Sequence, residues 1–101
     1  MRVIYTDQSI NSLEEALEFV VEKQKLSPEQ ASSLKDSLFD RADSLAINPL
    51  KGQQEEYLKD LKEGHRRIIE GHFKIIYKIE KETVYITDFF DSRQSPEKMK
   101  G

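Results

Sequence analysis

The chain has 101 residues and no cysteine, so it can form neither a disulfide nor a thiolate metal site. This absence fits a protein of the reducing cytosol. No apolar run approaches the ~18 residues that a membrane-spanning helix needs. The first residues, Met1 to Tyr5, are typical of a strand and lack a signal-peptide pattern. No repeat or low-complexity tract interrupts the chain, and we expect residues 1–101 to form one domain.

The sequence also lacks the residue sets of several common enzyme classes. It has no evident serine–histidine–acid set, no glycine-rich phosphate loop and no paired-carboxylate signature. The two histidines, His65 and His72, have no third ligand at metal spacing, which argues against zinc. Either histidine is eligible as a general acid or base, but both also fit ordinary polar positions at strand ends. We expect neither a metal nor a cofactor.

Charge is abundant but unevenly distributed. Charged residues make up 35% of the chain, and the net charge is −3. Residues 1–61 carry 7 Lys/Arg and 12 Asp/Glu, a net charge of −5, whereas residues 62–101 carry 9 and 7, a net charge of +2. The acidic whole argues against strong non-specific binding to nucleic acid, because such binding depends on neutralising phosphates. It leaves room for a basic face in the last third of the chain.

The first half of the chain predicts one strand and two helices. Residues 2–6 are β-prone, and Asp7 or Ser9 can cap the following helix, whose apolar residues recur at helical spacing from Ile10 to Lys25.

The second helix has a sharper start. Ser27 is its predicted N-cap, Pro28 occupies the first helical position, and Gln30 completes a capping box. Pro49 ends it, because the residue before a proline is disfavoured in the helical region. The link between the two helices is short, which predicts an antiparallel helical hairpin.

Three strands follow a polar connection over residues 48–64. The first spans 65–70, and Gly71 marks the turn. From residue 72 to 79 apolar residues alternate with mostly polar ones, and residues 83–90 alternate in the same way. This alternation places Val84, Ile86 and Phe90 on one face of the last strand. The predicted fold is therefore α+β, in the order β-α-α-β-β-β, with the helical hairpin packed on one face of a small antiparallel sheet.

The last third holds the candidate functional surface. The basic residues there are Arg66, Arg67, Lys74, Lys78 and Arg93. They suit either the solvated outer face of a half-exposed sheet or a cationic surface that grips phosphates or an acidic partner segment. Both alternatives stay open at this level.

Aromatic residues are frequent on the last two strands. Phe73, Tyr77, Tyr85, Phe89 and Phe90 fit core or cross-strand packing better than a base-stacking platform. Both faces of the last strand are rather apolar, yet one helical hairpin can cover only one face. An apolar patch on the open face would then bind a partner.

Several of these pieces, in this order and spacing, resemble the RelE/ParE superfamily of bacterial toxin–antitoxin toxins. The pieces are the β-α-α-β-β-β order, the link Asn48-Pro49-x-x-Gly52, the basic strand at 65–69, the run Phe73-Lys74-Ile75-Ile76-Tyr77, and the ending Asp91-x-Arg93-x-x-Pro96. The resemblance covers nearly the whole chain. It implies a cytoplasmic toxin, of a kind associated with plasmid stabilization, that a cognate antitoxin wraps and neutralises.

The superfamily divides by target. RelE-like members cut mRNA in the ribosome with basic residues on the second and third strands, a later arginine and an aromatic residue beyond it. The matching positions here are His65, Arg67, Lys74 and Arg93, but the aromatic position falls at Met99, which cannot transfer a proton. ParE-like members lack this set and poison DNA gyrase by binding, and the ending of this chain resembles theirs.

The resemblance thus favours a ParE-like, non-enzymatic inhibitor of gyrase. A RelE-like mRNA endonuclease, or a non-toxic interaction module of the same fold, is the alternative. The residues expected to contact a partner are Arg66, Arg67, Lys74, Tyr85, Phe89 and Arg93.

Overall fold

The computed structural model describes all residues 1–101. The helices and strands are β1 Arg2–Tyr5, α1 Asp7–Lys23, α2 Pro28–Asp43, β2 Gln53–Gln54, β3 Arg66–Glu70, β4 Phe73–Glu80 and β5 Thr83–Asp91. Short 3₁₀ helices lie at Ser44–Ala46, Glu56–Leu61 and Pro96–Lys98. No helix combines the length and the apolar character that crossing a membrane requires.

Side-chain caps fix where both α-helices begin. Thr6 caps α1, since its Oγ1 accepts the backbone N–H of Ser9 at 3.1 Å. The prediction of Asp7 or Ser9 as the cap was therefore wrong. The capping box of α2 is confirmed. The Gln30 N–H donates to Ser27 Oγ at 3.1 Å, and the Ser27 N–H donates to Gln30 Oε1 at 2.9 Å.

The five strands form one sheet in the order β1-β5-β4-β3-β2. The pairs β2–β3, β3–β4 and β4–β5 are antiparallel, which confirms the predicted meander. The β1–β5 pair is parallel, so the sheet is mixed rather than antiparallel throughout. The predicted α+β fold, with a helical hairpin on one face of the sheet, is confirmed. Strand β2 was not predicted either, because two glutamines carry no local strand signal.

A bulge interrupts β5. Ile76 pairs with Asp88 while Tyr77 pairs with Ile86, which leaves Thr87 without a partner on β4. The extra residue shifts the in-and-out alternation of β5 by one position beyond this point.

The shift overturns the predicted faces of the last strand. Phe89, not Phe90, joins Val84 and Ile86 on the side that faces the helices. Phe90 lies on the opposite face of the sheet, where the alternation had placed Phe89.

The helical hairpin covers the first face of the sheet and buries the main core. The residues of this core are Leu13, Ala16, Leu38, Ala42, Leu45, Ile68, Phe73, Ile75, Tyr77, Val84, Ile86 and Phe89. Three of the five aromatics discussed above lie in this core, as the packing interpretation predicted, and a fourth, Phe90, is buried in the smaller cluster described below.

The second face of the sheet is not left open. Leu58, from the 3₁₀ helix Glu56–Leu61, and Met99, from the last residues, pack with Ile76 and Phe90 in a smaller cluster. The Lys100 N–H donates to an oxygen of the Asp88 carboxylate, which anchors the tail on the sheet. The predicted apolar patch on this face is thus covered by the chain itself.

Candidate functional site

Two of the predicted site residues meet at a carboxylate that the sequence analysis did not single out. Lys74 Nζ lies 3.0 Å from Glu55 Oε1, and Arg67 Nη1 lies 3.6 Å from the same oxygen. Glu55 is only 2% exposed, and its other oxygen accepts the Tyr57 N–H at 3.0 Å. The Arg67–Lys74 pair is therefore already occupied by an internal anion.

Strand pairing places Glu55 there. Its backbone N–H donates to the His65 carbonyl at 2.9 Å, which extends the β2–β3 ladder by one residue. Arg67 and Lys74 lie on the adjacent strands β3 and β4, on the face away from the helices. No sequence pattern marks Glu55, because its neighbour Glu56 is identical in type and is exposed.

The two histidines lie apart and in different surroundings. His65 is 2% exposed, and neither of its ring nitrogens has a hydrogen-bond partner. Gly101 and Leu61 lie against its ring, since a side-chain carbon added to Gly101 would come within 2.8 Å of both. His72 is exposed in the β3–β4 turn, and its carbonyl accepts the N–H of Ser92 at 2.8 Å. His65 is thus enclosed by the chain itself, whereas His72 lies in a turn at the surface.

Arg93 pairs with its own strand end. Its Nη2 and Nε donate to the two oxygens of Asp91 at 2.7 and 3.0 Å, and its backbone N–H also donates to Asp91 Oδ1. Burial raises the pKa of the Asp91 carboxyl, but the Arg93 bonds more than offset this, so the pKa lies below its usual value. Arg93 therefore forms an ion pair within its own chain.

The remaining candidates are spread over separate surfaces. Arg93 lines a cavity of about 290 Å³ at the end of the helical hairpin, beside His72. Arg66 Nη2 donates to the Leu50 carbonyl at 3.3 Å. Tyr85 is half-buried, and Phe89 is 2% exposed within the core, where its contacts are with the chain itself. The predicted set therefore does not form one site.

The two carboxylates of β5 have opposite pH behaviour, which gives a first prediction. Burial raises the pKa of Asp88, so its contribution to stability is full below the unfolded pKa of about 3.9 and is lost as pH rises through the folded value. The pKa of Asp91 is lowered, so its contribution is full above the unfolded pKa and is lost as pH falls. At neutral pH, Asp88→Asn should raise the free energy of unfolding, and Asp91→Asn should lower it by about 2 kcal/mol.

Urea denaturation of both variants and the unchanged chain across the acid range measures this. The effect of each substitution should shrink towards the acid end, where both carboxyls are protonated. Equal and same-signed effects at neutral pH would contradict the prediction.

The sequence matches a known family of toxins. The chain matches, over residues 3–96, the sequence model of a family described as the ParE toxin of the type II toxin–antitoxin system parDE. It therefore belongs to the ParE family, the toxin components of type II toxin–antitoxin systems. This confirms the RelE/ParE resemblance and its ParE-like branch.

A solved structure shows the same fold. It is described as the chromosomal ParDE TA system from P. aeruginosa, and the superposition has a TM-score of 0.71 at 17% identity. It covers 88% of this chain and 92% of the other. A comparison with curated proteins gave no match.

Proposed function

We propose that this chain is a cytoplasmic toxin that inhibits DNA gyrase by binding to it and that a cognate antitoxin neutralises. Family membership supplies the class of protein. The observation that favours inhibition by binding over catalysis is the Glu55 carboxylate, which occupies the two cations that RNA cleavage would need. A phosphate that bound Arg67 and Lys74 would compete with this buried anion, at a cost in free energy.

The other members of the ribonuclease set give the same result. His65 is buried under Leu61 and Gly101 rather than facing a substrate site. Met99 takes the place of the aromatic residue, and its side chain packs in the Leu58–Phe90 cluster. Arg93 is held by Asp91 on a separate surface. No observation favours the RelE-like alternative.

Inducing the chain alone in bacteria tests the target. Growth, supercoiling by purified gyrase, and translation are scored in parallel. We expect growth to stop, supercoiling to be inhibited by the purified chain, and mRNA to stay intact. Translation arrest with untouched gyrase, and codon-positioned cuts that vanish on Lys74→Ala, would identify an endonuclease. No effect on any readout would leave the non-toxic interaction module.

Co-expression tests the antitoxin. A small reading frame beside the toxin frame should restore growth, and its product should co-purify with this chain. Arg93→Ala and Arg66→Ala should weaken either gyrase inhibition or antitoxin binding, because both guanidinium groups keep exposed surface. Lys35→Ala, an exposed position on α2, is the matched control.

A further inference from the structure

The outer edge of β3 is only partly covered. The two residues of β2 pair with Arg66 and Arg67, while β3 continues to Glu70. On this side the segment Ile68–Glu70 has no neighbouring strand. An unpaired edge of this kind offers backbone groups to another extended chain.

The register shows which backbone groups point outward. The Glu55 N–H bonds to the His65 carbonyl, and in an antiparallel pair every second residue faces the same neighbour. Residues 65, 67 and 69 therefore direct their backbone groups toward the β2 side. The Ile69 carbonyl agrees with this, because Arg41 Nη2 donates to it at 3.3 Å. A further strand would pair at Ile69, whose carbonyl would exchange the 3.3 Å bond from Arg41 for a bond from a backbone N–H.

Cations surround this edge. A cavity of about 300 Å³ lies beside it, lined by Arg41, Lys51, Gly52, Gln53, Arg67, Ile68 and Ile69. Three of these residues are cationic and none is acidic, in a chain whose net charge is −3.

The cations differ in how far they are already neutralised. Arg41 Nε lies 3.4 Å from the partly exposed Glu70, and Arg67 lies 3.6 Å from Glu55. Lys51 bonds to the Ser44 hydroxyl and forms no ion pair, so its charge is uncompensated. The cavity therefore keeps a positive charge that a carboxylate on a partner would neutralise.

One exposed aliphatic side chain, Ile69, lines the cavity, and another, Leu50, precedes its lining residue Lys51 in the chain. Ile69 is 57% exposed and Leu50 is 65% exposed. A phosphate chain could use the cations but would leave both the aliphatic surface and the Ile69 backbone unused. A β-strand with alternating acidic and apolar residues would use all three features.

We propose that the free edge of β3 binds an extended acidic segment of a partner protein. The segment pairs with the Ile69 backbone and places carboxylates at Arg41, Lys51 and Arg67. We take this segment to belong to the antitoxin, and in that respect the inference rests on the proposed function. Arg41 and Lys51, which no sequence motif marks, become the specificity-determining residues of this interface.

A short capped peptide of alternating Glu and Val is the probe. Its affinity for the full chain is measured by fluorescence anisotropy, and amide exchange at Ile69 is followed by NMR. The peptide should bind in a salt-dependent way and should slow exchange of the Ile69 N–H about tenfold or more. Arg41→Gln and Lys51→Gln should each weaken binding about tenfold. Lys35→Gln, on the same helix as Arg41, should leave binding unchanged.

The contrary outcomes are specific. Equal binding of a Lys–Val peptide, or binding without protection of Ile69, would overturn the proposal. So would an RNA oligonucleotide that binds more tightly with the same dependence on Arg41 and Lys51. An antitoxin that still neutralises and binds the Arg41→Gln/Lys51→Gln variant with full affinity would overturn the inference and leave the proposed function standing. If the chain bound the peptide but were not toxic, the proposed function would be overturned and the inference about the β3 edge would stand.

Discussion

Replacing Gly52 with alanine lowers the free energy of unfolding by about 3 kcal/mol, because there is no room for a methyl group at this position. An added Cβ would come within 2.6 Å of the Arg67 carbonyl oxygen, and closer still to the Tyr77 hydroxyl. The obstacle is backbone and a buried ring, neither of which can turn aside. Gly52 also lines the cavity at the β3 edge, so the variant should lose peptide binding as well as stability.

Urea denaturation measures the effect, and Gly64→Ala is the matched control. Gly64 has a positive φ of 74° but open space around it, so alanine there should cost only about 1 kcal/mol. Removing the nearest obstacle in Gly52→Ala/Tyr77→Phe should make the two substitutions non-additive by more than about 0.5 kcal/mol. Equal losses for Gly52→Ala and Gly64→Ala would show that close packing is not the cause.

The same contacts explain a motif that entered only through resemblance. In Asn48-Pro49-x-x-Gly52, the Tyr77 hydroxyl donates to the Pro49 carbonyl at 2.8 Å and accepts the Gly52 N–H at 3.1 Å. Tyr77 is fully buried, so its hydroxyl needs these partners. The link after the second helix is therefore shaped by a tyrosine on β4.

Local signals predicted local structure well. The capping box at Ser27 and the period-two pattern of β4 are each set by residues close together in the chain, and both are confirmed. The parallel pairing of β1 with β5 was missed, because it joins residues about eighty positions apart. The Thr87 bulge was missed for a related reason, since it is defined by the partner strand rather than by β5 itself.

The site was predictable in its residue types but not in its arrangement. Arg67 and Lys74 do lie side by side, as adjacent strands require. Glu55 neutralises both charges. The two residue pairs between β2 and β3 place its backbone, and Glu55 itself lies in the connection over residues 48–64, which was predicted only to be polar. The apolar patch expected on the second face is covered by Leu58 and Met99 for the same reason. The residues that neutralise the cations and cover the second face lie in segments without sequence periodicity, so no pattern predicted their positions.

Glu55→Ala should lower the free energy of unfolding by about 3 kcal/mol. The substitution removes a buried anion and leaves the Arg67 and Lys74 charges close together with no counterion. Both cations are partly exposed, with side-chain exposures of 20% and 25%, so water limits the loss to the lower end of the range for a broken buried pair. Glu56→Ala, at the exposed neighbouring position, should stay within about 0.5 kcal/mol of the unchanged chain.

Two further measurements separate charge from packing in this cluster. Added phosphate should stabilise Glu55→Ala more than the unchanged chain, because it can bind the freed cations. Replacing all three charges in Glu55→Met/Arg67→Met/Lys74→Met should recover much of the lost stability, since no unpaired charge remains. Glu55→Ala should also bind RNA more tightly and still cleave none, because His65 stays buried and Met99 offers no proton. Codon-positioned cleavage by Glu55→Ala would mean that the carboxylate masks a working ribonuclease. A loss in the free energy of unfolding no larger than that of Glu56→Ala would mean that the ion pairs do not stabilise the fold.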